Sequence, residues 1–137
     1  MVYVLSLAGQ LTALNTNVEL TDGVDQSTVV KIIPDGVRAI TRIRFSAASI
    51  CSAAAANGIY FEVSNTGIAQ GAPYRFCPIS ISTAGGSSSG SPPISIEIDF
   101  SRNPIPVNSG SPVTVNASMM GSSDSGSIAA AISLTME

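Results

Sequence analysis

In Pro92-Pro93-Ile94-Ser95-Ile96-Glu97-Ile98-Asp99-Phe100-Ser101, Ile94, Ile96, Ile98 and Phe100 fall on one side of an extended chain and Ser95, Glu97, Asp99 and Ser101 on the other. A period of two marks a strand with one buried and one wet face. The pattern recurs at Val113, Val115, Ala117 and Met119 against Thr114, Asn116 and Ser118, and again at Ile128, Ala130, Ile132, Leu134 and Met136. Three strands in one short run, separated by Pro, Asn, Ser and Gly, predict an antiparallel meander or Greek key.

Working outward, the same signals cover the rest of the chain. Val2 to Leu20 predicts two or three short strands broken near Gly9-Gln10 and Asn15-Thr16-Asn17. Thr21 to Ser27 is a turn cluster, Thr28 to Ile33 a β-branched strand, and Pro34-Asp35-Gly36 the turn that ends it. Val37 to Ala47 reads as a long strand with Val37, Ala39, Thr41, Ile43 and Phe45 on one face and Arg38, Arg42 and Arg44 on the other; Ile40 falls on the arginine side. The alanine-rich Ser46 to Ala56 predicts a strand end and a loop with room for one helical turn. Asn57-Gly58 then predicts a hairpin between the arginine strand and Gly58 to Ser64, which would set Glu62 across from Arg42 or Arg44. Asn65 to Pro73 is a loop. Tyr74 to Thr83 carries Pro78 and suits a sheet edge or a bulge. Ala84 to Pro93 is Gly/Ser-rich and reads as a solvated loop, and Ser122 to Gly126 as the last turn. The fold class that follows is all-β: a two-sheet antiparallel sandwich, jelly roll or similar Greek key, of about nine strands. Residues 1–137 make one domain, long enough to bury a core unaided.

Composition narrows function by exclusion. Hydrophobic residues make up 45% of the chain and charged ones 11%, against about 25% in an ordinary domain, so the chain is not disordered and its surface is covered by short neutral side chains. With a net charge of only −3, such a surface favours association. Lys31, Arg38, Arg42, Arg44, Arg75 and Arg102 form no dense run, and the isoelectric point near 4.7 lacks the footprint of a nucleic-acid binder. No apolar run reaches the roughly 18 residues of a membrane-spanning helix. Met1 to Gln10 lacks a basic start and alternates, which predicts a strand in place of a signal peptide and synthesis in the cytoplasm.

The inventory for catalysis is thin. There is no histidine to activate a serine or a thiol, and no Gly-x-Ser-x-Gly elbow. Glu97 and Asp99 lie two apart on one strand face, roughly 7 Å between Cα atoms. That spacing suits a glycosidase pair, but an alternating strand carries such acids on its wet face anyway, and the chain has no tryptophan and only Tyr3, Tyr60 and Tyr74 as sugar platforms. Asp22, Gly23 and Asp25, and separately Asp124, lack the oxygen count of a calcium loop, and two cysteines without histidine make no zinc site. The expectation is a non-enzymatic protein with no cofactor and no metal. Cys51 and Cys77 read either as two small buried hydrophobes or as one disulfide between neighbouring strands.

Ile105-Pro106-Val107-Asn108-Ser109-Gly110-Ser111-Pro112-Val113-Thr114-Val115, followed by a closing strand from Gly126 to Glu137, resembles the IPV-x-x-G-x-x-V-x-V strand–turn–strand near the end of many jelly-roll virion proteins. The resemblance covers roughly the last third of the chain, and other β-sandwiches carry the same turn. It implies a virus or phage capsid, decoration or spike protein that forms symmetric oligomers, with copies of itself and other virion subunits as partners; the charge and hydropathy above argue against nucleic-acid and membrane partners. A virion or other extracellular assembly is the location implied. It carries over no functional residue. Two other readings share the fold class: a filament subunit joined by strand exchange, which predicts an N-terminal segment poorly paired within its own subunit, and a carbohydrate- or receptor-binding module, which predicts aromatic residues in loops. Arg38, Arg42 and Arg44, with Glu97 and Asp99 as an acidic counterpart, are the candidate interface charges.

Overall fold

The computed structural model of the chain describes residues 2–22, 31–50, 54–65, 67–68, 73–84, 94–121 and 127–137. They form ten strands: β1 (Tyr3–Leu11), β2 (Val18–Glu19), β3 (Lys31–Ile32), β4 (Ala39–Ile50), β5 (Ala54–Ser64), β6 (Tyr74–Ala84), β7 (Ile94–Asp99), β8 (Ile105–Pro106), β9 (Pro112–Gly121) and β10 (Ser127–Met136). Sheet 1 has the order β1-β10-β4-β7, with β8 also on β4; sheet 2 has the order β2-β9-β5-β6, with β3 also on β9. All these pairings are antiparallel. The steps β1 to β2, β3 to β4, β4 to β5, β6 to β7, β8 to β9 and β9 to β10 each carry the chain from one sheet to the other, which is the layout of an eight-strand jelly roll with two short additions. The three C-terminal alternating strands are therefore no meander: β7 and β10 lie in sheet 1 with β4 between them, and β9 lies in sheet 2.

The alternating positions fill the space between the sheets. Val113, Val115, Ala117 and Met119 on β9, and Ile128, Ala130, Ile132, Leu134 and Met136 on β10, are buried. All four phenylalanines join in one chain of tilted rings: Phe45 lies 5.0 Å from Phe61 and 5.3 Å from Phe76, which lies 6.1 Å from Phe100. Such offset pairs add to the burial of their area, and here they cross from one sheet to the other. The virion-like tail has a plain physical reading. Ile105, Val107, Val113 and Val115 are core residues, and Gly110 between them has φ +78°, the left-handed region a tight turn needs.

Several expectations are corrected. β1 does not break at Gly9, because Gly9 faces inward: a Cβ there would lie 2.8 Å from the Leu20 side chain, so the glycine makes room for a core leucine within a continuous strand. Ile40 is fully buried and not on the arginine side. Pairing with β10 steps from Thr135–Arg42 to Met136–Ile40, leaving Thr41 as a bulge that turns both Ile40 and Ile43 inward. Asn57-Gly58 is no hairpin turn. Both residues lie inside β5, and β4 and β5 belong to different sheets, so Glu62 faces Arg75 on β6 and neither Arg42 nor Arg44. The Ser46 to Ala56 stretch extends β4 to Ile50 and opens β5 at Ala54. Pro78 sits on edge strand β6, where the register slips between Ile59 and Phe61, as its missing N–H requires. The Gly/Ser loop after Ala84, the turn before Ser127, Asp25, Asp124 and Cys51 lie outside the described residues.

The two flanks of the sandwich differ. Leu20 N–H donates to the Val115 carbonyl of sheet 2 (2.8 Å), and the next residue, Thr21, exchanges hydrogen bonds with Ala8 of β1 (2.7 and 2.9 Å). One dipeptide thus ties the sheets together at the β1/β2 flank. At the β6/β7 flank, among the described residues, the Phe76–Phe100 contact spans the gap, and the inward-facing Ile96 remains 36% exposed.

Candidate functional site

The outward face of sheet 1 is built of cross-strand rows, and the register fixes them. Val4–Thr135–Arg42–Asp99 and Ser6–Ser133–Arg44–Glu97 form one end; Ala8–Ala131–Ser46–Ser95 and Gln10–Ala129–Ala48 form the other. The predicted charges therefore do meet, with the exception of Arg38, which precedes β4 and gives its N–H to the Glu137 carbonyl (2.7 Å). Glu97 receives Arg44 at 3.0 Å and Arg42 at 3.3 Å, one guanidinium on each carboxylate oxygen. These are exposed pairs, each worth at most about 1 kcal/mol. Asp99 accepts the Ser101 N–H at 2.8 Å, and that bond, with Arg42 and Arg102 nearby, holds its carboxyl below the usual carboxylate range. The acids set side by side on β7 are thus both engaged by their own chain. The rest of the face is made of alanine and serine with Gln10 at its end, around a shallow depression of about 240 Å³ lined by Ala8, Ser46, Ala48, Ala129 and Ala131, and the Ser6 and Ser133 hydroxyls are bonded at 3.0 Å.

The outward face of sheet 2 is sculpted. Its central row is Glu19–Asn116–Glu62–Arg75, in which Arg75 Nε donates to Glu62 at 2.8 Å. On one side of that row stand Tyr60, opposite Ser118, and Met120, opposite Gly58; they are 39% and 45% exposed. With Asn17 they line a shallow depression of about 320 Å³. The Tyr60 hydroxyl is hydrogen-bonded to the Cys77 thiol on β6, which pushes the phenol's ionisation above its ordinary value. Cys77 is a free, exposed thiol and not a buried hydrophobe, because β6 is an edge strand and Cys77 lies on its outer side. Attention to aromatic residues in loops passes over this site. The signal for it was the outward placement of Tyr60 and Glu62 on one strand. Tyr74, the tyrosine near a loop, is half-buried beside Phe100 in a separate depression with Asn103 and Pro104.

Among the described residues no cluster of three or more acidic or thiol side chains is placed to hold a metal ion, and no helix is long and apolar enough to cross a membrane.

No family model matches the chain, and no curated protein matches it significantly. Among solved structures, a chain from "Structure of infectious bursal disease virus Gx strain" is weakly similar, with a TM-score of 0.39 and 13% identity over 99% of this chain and 36% of that one. This chain thus spans little more than a third of the viral chain's length, and at that level the likeness bears on no residue and no activity.

Proposed function

We propose that the chain is a non-enzymatic structural subunit that assembles with copies of itself, as a virus or phage capsid or decoration protein does. The observation that carries the reading is the way charge is cancelled on the surface. Lys31 is held by Asp22 at 2.6 Å, Arg42 and Arg44 by Glu97, and Arg75 by Glu62, all within the chain. Among the described residues left outside these pairs on the face of sheet 1, Asp99 is engaged by the Ser101 N–H and the others are neutral, a surface that loses little hydration when another copy covers it. The filament reading loses ground for a specific reason: its N-terminal segment should be poorly paired at home, whereas β1 pairs with β10 at nine consecutive positions, Tyr3 to Leu11.

The test is the native mass by light scattering, at low salt and at about 1 M NaCl, where screening shortens to about 3 Å. The expected result is a multimer that survives both conditions, because few charges hold it together, and closed rings or shells by negative-stain microscopy. A monomer of 13.9 kDa at both salts would sink the proposal. Extended fibres would return the filament reading.

A further inference from the structure

We infer that the depression on the outward face of sheet 2 is a binding site for a neutral sugar, with the Tyr60 ring as its stacking platform. Its volume, about 320 Å³, sits at the lower end for small-molecule sites and suits a single pyranose ring. An aromatic ring left 39% exposed in the middle of a strand invites cover. Its electron-rich face attracts the weakly positive C–H groups on the apolar side of a sugar.

The ring is also held in place before any ligand arrives. Gly58 precedes Tyr60 by two residues on the same face, and a Cβ there would lie 3.4 Å from Cys77 Sγ and 3.9 Å from Tyr60 Cε2. These are ordinary van der Waals distances, and the ring lies toward β6, where its hydroxyl is bonded to Cys77. A platform fixed in this way gives up little freedom on binding. Met120, 45% exposed, supplies a soft apolar wall beside it.

The polar groups decide the class of ligand. The side-chain amides of Asn116 and Asn17 each offer a donor pair and an acceptor, the complement of adjacent hydroxyls that both give and take hydrogen bonds. Arg75, the cation at the site, is held by Glu62 at 2.8 Å, and Glu19 flanks Asn116 on the far side. A carboxylated or sulfated sugar would meet a committed cation and an unfavourable carboxylate, so the site selects neutral hexoses. The other aromatic depression, around Tyr74 and Phe100, is lined by prolines and offers one amide, Asn103, and lacks this complement.

The experiment is saturation-transfer difference NMR on the full chain in whatever assembly it forms. The probes are the methyl glycosides of glucose, galactose and mannose, with sialyllactose as the anionic comparison. Transfer to the ring C–H protons of at least one neutral glycoside is expected. Tyr60→Ala should weaken binding roughly tenfold or more, the scale of one lost aromatic anchor, while Tyr60→Phe retains most of it. Should Tyr60→Ala fail to fold, Asn116→Leu keeps the branched shape, removes the amide and should lose binding on the same scale. The inference is overturned by no transfer to any neutral glycoside, which includes the case of a second copy covering this face. Transfer to sialyllactose alone, or binding unchanged in both Tyr60→Ala and Asn116→Leu, overturns it equally.

Discussion

At the β1/β2 flank Leu20 and Thr21 stitch the two sheets with backbone hydrogen bonds, while at the β6/β7 flank phenylalanine rings face each other and an isoleucine stays half in water. The first flank is closed in the manner of a barrel, and its last gap is filled by a leucine pushed against a glycine. The second ends in two edge strands, one blunted by Pro78 and the other, β7, by the charges of Glu97 and Asp99. The difference teaches where this sandwich keeps its stability. Apolar alternation runs along every long strand, but the same pattern is worth much at a sealed flank and little at an open one.

Truncations give the contrast a scale. Leu20→Ala, at the sealed flank, should cost about 2–5 kcal/mol, since Leu20 is 1% exposed and the space it vacates beside Gly9 has nothing else to fill it. Phe76→Ala, at the open flank, should cost roughly 1–2 kcal/mol, because the ring is only partly buried. Ile96→Thr should stay within about 0.5 kcal/mol. Denaturant midpoints of the three variants measure the order directly, and a loss for Ile96→Thr as large as that for Leu20→Ala would erase the distinction. The smallest effect belongs to Asp99. Its carboxyl is held below the usual range in the folded state, so its contribution is present at neutral pH and disappears as pH falls through that lowered value. Asp99→Asn should therefore be less stable than the parent near neutrality and converge with it in acid; a gap that widens in acid would contradict the assigned cause.

The same contrast explains what was legible in the residues. Strands whose inner faces are fully covered, β9 and β10, announced themselves by alternation and were buried as expected. Ile94 to Phe100 alternates just as cleanly, yet Ile96 is exposed, because alternation says which way a side chain points and not whether anything lies opposite. Ile40 misled because one bulged residue, Thr41, shifts the phase, and a bulge leaves no mark on composition. Asn57-Gly58 misled because a dipeptide that suits a tight turn does not require one: both residues run straight through β5, paired with β6 and β9. The arginine and carboxylate cluster was readable as residues but not as a pairing, since it depends on β7 lying beside β4. The depression on sheet 2 joins residues 17, 60, 75 and 116, which only the topology brings together.

β1 and β10 are partners from Tyr3–Met136 to Leu11–Ile128. Apart from Ala8, which exchanges backbone hydrogen bonds with Thr21, the first strand has no strand partner until the last one is made. During synthesis at about 5–20 residues per second, Leu5, Leu7 and Leu11 wait unshielded for some seconds. Pairings of such long sequence separation also place refolding in the slow, millisecond-to-second class, and a stopped-flow trace with a microsecond main phase would contradict it. The arrangement that seals the finished sandwich is therefore also its period of greatest exposure to aggregation, and it ends only when the C-terminal strand has been added.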